Sequence, residues 1–233
     1  MTKKEAATLL WWYAQQGLTS AIFSRPPAAP TAPDASQPFQ VFASTHEALS
    51  DLHAQILSFQ GCPLSRTAQH TVFSDGNPNS PVMLVGEAPG AEEDKQGKPF
   101  VGMSGKLLDL MLASIGLDRT TVYITNIMPW RPPFNRQPST QEVADCLPFV
   151  ERHIGIINPK VLICVGGVAY KSLTRSNASM TSVQGKIFDY ACPYLPRPIK
   201  AMALYHPAYL LRSPGQKRTA WHQLLRIKAF LQE

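Results

Sequence analysis

A chain of 233 residues can bury one full hydrophobic core, so anything beyond that core is expected to be an appendage rather than a second domain. Lysine and arginine number 22 against 16 acidic residues, a formal charge of +6 that admits a polyanionic partner without identifying one. No segment approaches the ~20 consecutive apolar residues of a membrane-spanning helix, which excludes that class and makes a cytoplasmic protein the default.

Residues 1–58 read as a helical appendage. Short helices are expected over 3–16 and 44–58, separated by a proline-rich linker at 24–38 that stays extended and packs poorly. Lys3 and Lys4 precede an apolar stretch in the manner of a signal peptide, yet Gln15 and Gln16 break that stretch and no adjacent small-residue cleavage site follows.

From residue 59 onward the pattern changes. The run Pro81–Val85 is too short and too continuously apolar for an amphipathic helix, so it reads as a strand covered on both faces, as in a parallel sheet. Further strands are expected over 121–126, 160–165 and 201–205. Helical signals fall between them. Ser104 is the expected cap of a helix bearing Leu107, Leu108, Met111, Leu112 and Ile115, closed by Gly116. Ser139 and Glu142 form a capping-box pattern that opens a helix striped by Val143, Cys146, Leu147, Val150 and Ile154, stopped at Asn158-Pro159. A last helix over about 216–231 is expected to pack through Trp221, Leu224, Leu225 and Phe230. Strands alternating with helices predict an α/β fold over 59–233, a three-layer α/β/α sandwich with a central, mainly parallel four-stranded sheet.

In such sheets ligands bind beyond the carboxyl ends of the strands. Those ends carry Glu87, Asn126, the pair Gly166-Gly167 and His206, while Gly86, Ala88, Pro89 and Gly90 form a loop whose backbone can approach a ligand closely. A carboxylate there can orient or deprotonate water, and an imidazole can donate to an oxygen on which charge develops. A carboxamide offers a donor and an acceptor together, and Phe100 can stack on a flat ring. An amide that reads an imide edge above an aromatic floor is what recognition of an extruded base requires. Taken singly, a strand-end Asn or His more often satisfies loose backbone, and a lone Phe more often belongs to the core. The charge distribution adds a second pointer. No Asp or Glu occurs from Tyr190 to Gln232, where Arg197, Lys200, Arg212, Lys217, Arg218, Arg226 and Lys228 flank His206. A basic field around a pocket suits DNA, and a solvated helix face explains the same charges equally well.

Gly86-Glu-Ala-Pro-Gly90, Glu93-Asp94, Pro99-Phe-Val-Gly102, Asn126, Arg131-Pro-Pro-Phe-Asn-Arg136 and His206-Pro-Ala-Tyr-Leu-Leu-Arg212 follow one another in the order and spacing of the family 4 uracil-DNA glycosylases, which the chain resembles from about residue 61 to 231. The resemblance implies extrusion of uracil from DNA and hydrolysis of its N-glycosidic bond, leaving an abasic site for base-excision repair, by a protein expected to act as a monomer. It implies that Glu87 positions the attacking water, that Phe100 stacks on uracil, that Asn126 pairs with its imide edge and that Glu93 crowds the C5 side of the ring. His206 would hydrogen-bond the uracil O2 and stabilise the departing anion. Leu210, Leu211 and Arg212 would form the wedge entering the minor groove, with Pro207, Lys217 and Arg218 also on the DNA and Asn135 near the pocket.

Family members typically hold an iron–sulfur cluster on four cysteines. Here Cys62 and Cys146 match two of those positions, whereas Phe59 and Trp130 stand at the other two, so no cluster and no other cofactor is expected. The aromatic pair is expected to fill the cluster's space instead, at about 2–3 kcal/mol per fully buried side chain. Residues 127–138 contain no histidine, which points to turnover rather than covalent trapping of DNA. Two rival classes remain open: a non-catalytic DNA- or uracil-binding module related to phage DNA-polymerase-associated proteins, and an α/β enzyme using Gly86–Gly90 to hold a nucleotide cofactor. The second lacks both common phosphate-binding signatures.

Overall fold

The structure, a computed structural model, describes residues 44–183 and 185–232. The helix expected over 3–16 and the linker at 24–38 lie outside the described residues. Among those residues six strands form one sheet. They are β1 (Asp75–Gly76), β2 (Val82–Gly86), β3 (Tyr123–Asn126), β4 (Val161–Val165), β5 (Ile187–Tyr190) and β6 (Ile199–Leu204), in the order β1-β3-β2-β4-β6-β5. The four expected strands are the central ones, and β3, β2, β4 and β6 run parallel. The four-stranded expectation needs one correction: β1 and β5 add short antiparallel edges.

Helices α1 (Thr45–Ser58), α2 (Ala91–Gln96), α3 (Met103–Ala113), α4 (Thr140–Ile157), α5 (Gly167–Thr174), α6 (Met180–Val183), α7 (Pro207–Arg212) and α8 (Lys217–Leu231), with short 3-10 turns at Pro63–Arg66, Pro133–Asn135 and Pro214–Gln216, surround the sheet. The period-2 alternation of side chains makes the architecture three-layered. Met83 and Val85 of β2 and Leu162 and Cys164 of β4 enter a cluster with Leu52 and Ile56 of α1 and Val150 and Ile154 of α4. Their neighbours Val82, Leu84, Val161 and Ile163 enter the opposite cluster with Leu108 and Leu112 of α3 and Leu224 and Ile227 of α8. Strands sandwiched this way carry apolar residues on both faces, which is why each reads as an unbroken apolar run.

The capping box at Ser139 forms as expected, with Glu142 N donating to Ser139 Oγ at 3.2 Å and Ser139 N donating to a Glu142 carboxylate oxygen at 2.7 Å. Asn158 closes the same helix in a left-handed conformation at φ 44°. Two boundaries differ from expectation. Helix α1 buries Ala48, Leu49, Leu52 and Ile56, and Arg152 of α4 reaches back to Asp51 at 2.9 Å, so this helix shares the sheet's core rather than an appendage ending at residue 58. Helix α3 starts at Met103 with Gly102 as its N-cap, two residues ahead of the expected Ser104 cap.

Helix α8 also turns differently. Its buried face is Ala220, Gln223, Leu224 and Ile227, whereas Trp221 and Leu225 are exposed. Gln223 explains the rotation, because its Oε1 accepts from the Tyr205 backbone N at 3.1 Å and thereby satisfies an amide just past the end of β6.

Candidate active site

Strand register builds the site. Gly86 at the end of β2 lies beside Asn126 at the end of β3, while β4 and β6 end on the same side at Val165 and Leu204. Chain entering β3 lies to one side of β2 and chain entering β4 to the other, so a crevice opens at the carboxyl ends where the order switches. A cavity of about 980 Å³ occupies it. Glu87, Ala88, Pro89, Gly90, Glu93, Phe100, Asn126, Asn135, His206 and Arg212, all singled out in the sequence, line this one space.

Contacts around Gly86 are close enough to define a slot. A Cβ there would lie 2.4 Å from Asn126 Oδ1 and 2.5 Å from Phe100 Cζ, so only glycine lets the carboxamide and the ring approach the strand end together. Phe100 faces His206 with ring centroids 5.6 Å apart. Asn126 is 5% exposed, yet its carboxamide has no hydrogen-bond partner among the described residues. A buried amide left open toward a cavity is an acceptor and donor awaiting a ligand.

The ionisable groups are tuned by burial. Desolvation raises the Glu87 carboxyl above the usual carboxylate range. His206 is pushed down to about 4, first by burial and then by Arg212, against a weaker opposing pull from Glu93. It is the N-cap of α7, and its Nδ1 accepts from the Ala208 backbone N at 3.1 Å. The imidazole is therefore neutral at pH 7 with its proton on Nε2, a donor free to face the cavity.

Glu93 is held more tightly than expected. One carboxylate oxygen accepts from Val101 N and Gly102 N at 2.9 and 2.7 Å, and the other from Gly90 N at 3.0 Å. It thus laces the loop after β2 to the loop carrying Phe100. Phe100 itself has φ 54°, a left-handed conformation that a bulky residue adopts only under constraint. The constraint is Arg119, which sequence reasoning missed. Its guanidinium donates to the Phe100 and Pro99 carbonyl oxygens and is anchored by Asp75 at 2.7 Å and Asp109 at 2.9 Å. Gly105 completes the fit, since a Cβ there would strike the Phe100 carbonyl.

The DNA-facing expectation needs correction at Leu210. That side chain is 1% exposed and packs in the core, so it cannot enter a groove without unfolding α7. Leu211 and Arg212 project instead, being exposed, and Arg212 lines the cavity. Pro207 is buried in the first turn of α7, while Lys217 and Arg218 are exposed beyond the cavity. Part of the basic field is already committed: Lys200 pairs with Asp189 at 2.8 Å and Arg226 donates to the Gly185 carbonyl at 2.6 Å. Lys171 and Arg136 add positive side chains to the cavity lining, and no sequence signal marked Lys171.

Away from the cavity, Cys62 and Cys146 meet. Both are fully buried, and Cys146 is pushed far up by its hydrogen bond to Cys62 and by burial. Phe59 and Trp130 stack beside them at 6.4 Å between centroids, and Phe149 closes the group edge-on to Phe59 at 4.9 Å. Trp130 is 2% exposed with its indole N donating to Thr71 Oγ1 at 3.0 Å, whereas Phe59 is half-buried rather than fully so. Among the described residues no group of three or more His, Cys, Asp or Glu is placed to hold a metal ion.

Fold and site define an α/β protein whose mainly parallel sheet carries, at its carboxyl rim, a cavity lined by Glu87, Phe100, Asn126 and His206. The chain belongs to the uracil-DNA glycosylase superfamily, whose family model matches residues 73–226. It is 40% identical over 172 residues to a type-4 uracil-DNA glycosylase of Archaeoglobus fulgidus, covering 72% of this chain and 85% of that protein. A Thermotoga maritima protein of the same description is 34% identical over 193 residues, covering 81% of this chain and 98% of the relative. A DNA polymerase of Bacillus phage SP01 is 30% identical over 140 residues, 60% of this chain but 14% of the polymerase.

Proposed function

We propose that this protein is a monofunctional uracil-DNA glycosylase that extrudes uracil from DNA and hydrolyses its N-glycosidic bond without a cofactor. The observation carrying this reading is the open Asn126 carboxamide set beside Phe100, Glu87 and a neutral His206 in one cavity. Phe100 stacks on the uracil face, and Asn126 pairs with the imide edge, refusing cytosine because its donor and acceptor order is reversed. As the C1′–N1 bond breaks, its electron pair passes to the base, and the His206 Nε2 proton hydrogen-bonds the O2 on which that charge gathers. The sugar becomes oxocarbenium-like, and water held by Glu87 adds to C1′. The proton released from that water passes through Glu87, leaving an abasic hydroxyl and free uracil. Glu93, with its carboxylate locked by three amides, supplies a fixed wall on the C5 side of the ring. Leu211 and Arg212 fill the space the nucleotide leaves, Lys217 and Arg218 hold backbone phosphate, and Asn135 closes the rim.

The donor set does not fit an iron–sulfur cluster. Such clusters take four thiolates; here only the two buried thiols of Cys62 and Cys146 meet, and the other two positions are the stacked Phe59 and Trp130. Hydrophobic packing therefore does the joining that ligation would do. A non-catalytic binding module is disfavoured, because binding alone requires neither the Glu87 carboxylate nor a tautomer-fixed His206. Release of free uracil from an oligonucleotide panel carrying uracil, hypoxanthine or thymine tests the proposal. Wild-type excision lost in Glu87→Gln, Asn126→Ala and His206→Ala is expected; near-wild-type turnover in all three variants sinks the site.

A further inference from the structure

Phe134 is 98% exposed, the most exposed large apolar side chain among the described residues. It also has φ 56° and ψ 21°, and Asn135 follows at φ 54°, so two consecutive non-glycine residues stand in the left-handed region. A bare aromatic ring on backbone disfavoured for it packs against nothing that would repay either penalty.

The loop around it is braced rather than loose. Arg131 Nε donates to Asn135 Oδ1 at 2.8 Å, and Asn135 N and Arg136 N donate back to the Pro132 and Pro133 carbonyls at 3.1 Å. The Arg136 guanidinium grips Glu142 through two bonds of 2.8 and 2.6 Å, tying the tip to the capped end of α4. Pro132, Asn135, Arg136 and Gln137, on either side of the ring in sequence, line the active-site cavity. An exposed aromatic is thus presented on a stiff arm at the mouth of the pocket.

Its surroundings select the occupant. Arg212 and Arg136 line the same cavity, Arg136 paired with Glu142, and Arg131, paired with Asp94 at 3.9 Å, adjoins the lining residue Pro132, while exposed Lys217 and Arg218 follow Arg212 in the chain. An apolar plane set among cations matches a nucleobase, which offers a π-face on a polyanionic backbone. We propose that Phe134 stacks on a base flanking the extruded nucleotide, as a second DNA-ordering element alongside Leu211 and Arg212. This rests on the glycosylase reading above. A flanking base in single-stranded DNA has a free face, whereas one in a duplex must first unstack, so Phe134 favours the single-stranded substrate.

Phe134→Gly is the natural probe, because glycine is at ease at φ 56° and the fold is retained, as the melting temperature checks. On a single-stranded uracil oligonucleotide the half-saturating concentration for single-turnover excision is expected to rise at least about fivefold, from the range of base-on-aromatic stacking. The saturated rate stays near wild type, and the effect on duplex is smaller. Phe134→Trp is expected to keep the affinity, with tryptophan emission quenched by the oligonucleotide beyond the change seen in wild type. If wild type releases uracil yet Phe134→Gly saturates like it and the Phe134→Trp emission is unmoved, the stacking inference is overturned and the glycosylase reading stands. A wild type that releases no uracil removes that reading, and this inference with it.

Discussion

At the scale of single residues, activity and stability pull against each other at Glu87. Burial raises its carboxyl, so the folded chain holds that proton more tightly than the unfolded chain does. The sign follows directly: stability contributed below pH 4.5 is lost as pH rises through the folded value, and at neutral pH the ionised side chain destabilises. Glu87→Gln is therefore expected to lower single-turnover excision by about 100-fold or more while leaving the melting temperature equal or higher. A variant that loses both together contradicts this account. The pH profile of the wild type follows from the same group. Because His206 sits at about 4, it stays neutral across the acid limb, and that limb belongs to Glu87 with a midpoint above 4.5. A midpoint at or below 4.5 removes Glu87 as the limiting group. Arg119 acts through another residue, since it holds the Phe100 loop by its backbone and does not itself line the cavity. Arg119→Lys keeps the charge but not the fork, and is expected to weaken substrate capture more than the saturated rate.

At the scale of elements, the joint between α1, the turn after it and α4 is where the resemblance to the family 4 enzymes implies four cysteines and this chain carries Cys62, Cys146, Phe59 and Trp130. If Phe59 and Trp130 replace a cluster by packing, Trp130→Ala should cost about 3–5 kcal/mol, measured by urea unfolding. The double substitution Phe59→Cys with Trp130→Cys would place four thiols together with Cys62 and Cys146, and is expected to gain iron, sulfide and absorbance near 400 nm, with none expected in wild type. Stoichiometric iron in the purified wild type overturns the packing account. The same elements show what was legible. Strands β2 and β4 could be read because burial on both faces leaves continuous apolar runs, and β3 and β6 because short stretches of β-branched, aromatic and apolar residues precede Asn126 and His206. Strand β1 is two residues long, and β5 alternates no apolar face, with Ile187 exposed, so neither left a signal. Helix spacing alone chose Trp221 and Leu225 for the core, because it could not register that Gln223 turns inward to meet the Tyr205 amide. Leu210 and Leu211 are adjacent in a motif, and only the rotation of α7 decides which is buried. The cavity's lining was largely readable because strand ends converge by topology. Arg119 was not, since it acts on a carbonyl 19 positions away.

At the scale of the whole molecule, acid should loosen the fold through histidines before it does so through carboxylates. His153 is fully buried in α4 and is pushed down to about 3, by burial first and by the nearby His53 second. It stacks on Phe73 at 4.6 Å and shares a 2.7 Å hydrogen bond with the Tyr123 hydroxyl, which also donates to Ser74 at 2.8 Å. Unfolded, the same imidazole takes its proton near pH 6.5. Its contribution is therefore complete above pH 6.5 and is lost as pH falls from there toward 3, with a limiting slope of about 1.4 kcal/mol per pH unit. His206 adds a parallel loss between 6.5 and about 4. Glu142, held down to about 2 by Arg136, begins to weaken the fold only below 4.5. Between pH 7 and 5 the histidines lose stability on acidification while Glu87, raised by burial, pulls the other way. Comparing a His153 variant with wild type cancels what the two proteins share and isolates the one imidazole. His153→Phe preserves the stack on Phe73 and leaves Tyr123 its bond to Ser74, while removing one proton from the balance. Between pH 7 and 5 the variant should lose about 2 kcal/mol less stability than wild type, measured by urea unfolding at both pH values. Equal losses in the two proteins would mean that the His153 imidazole is protonated alike in the folded and unfolded states, against its place in the core.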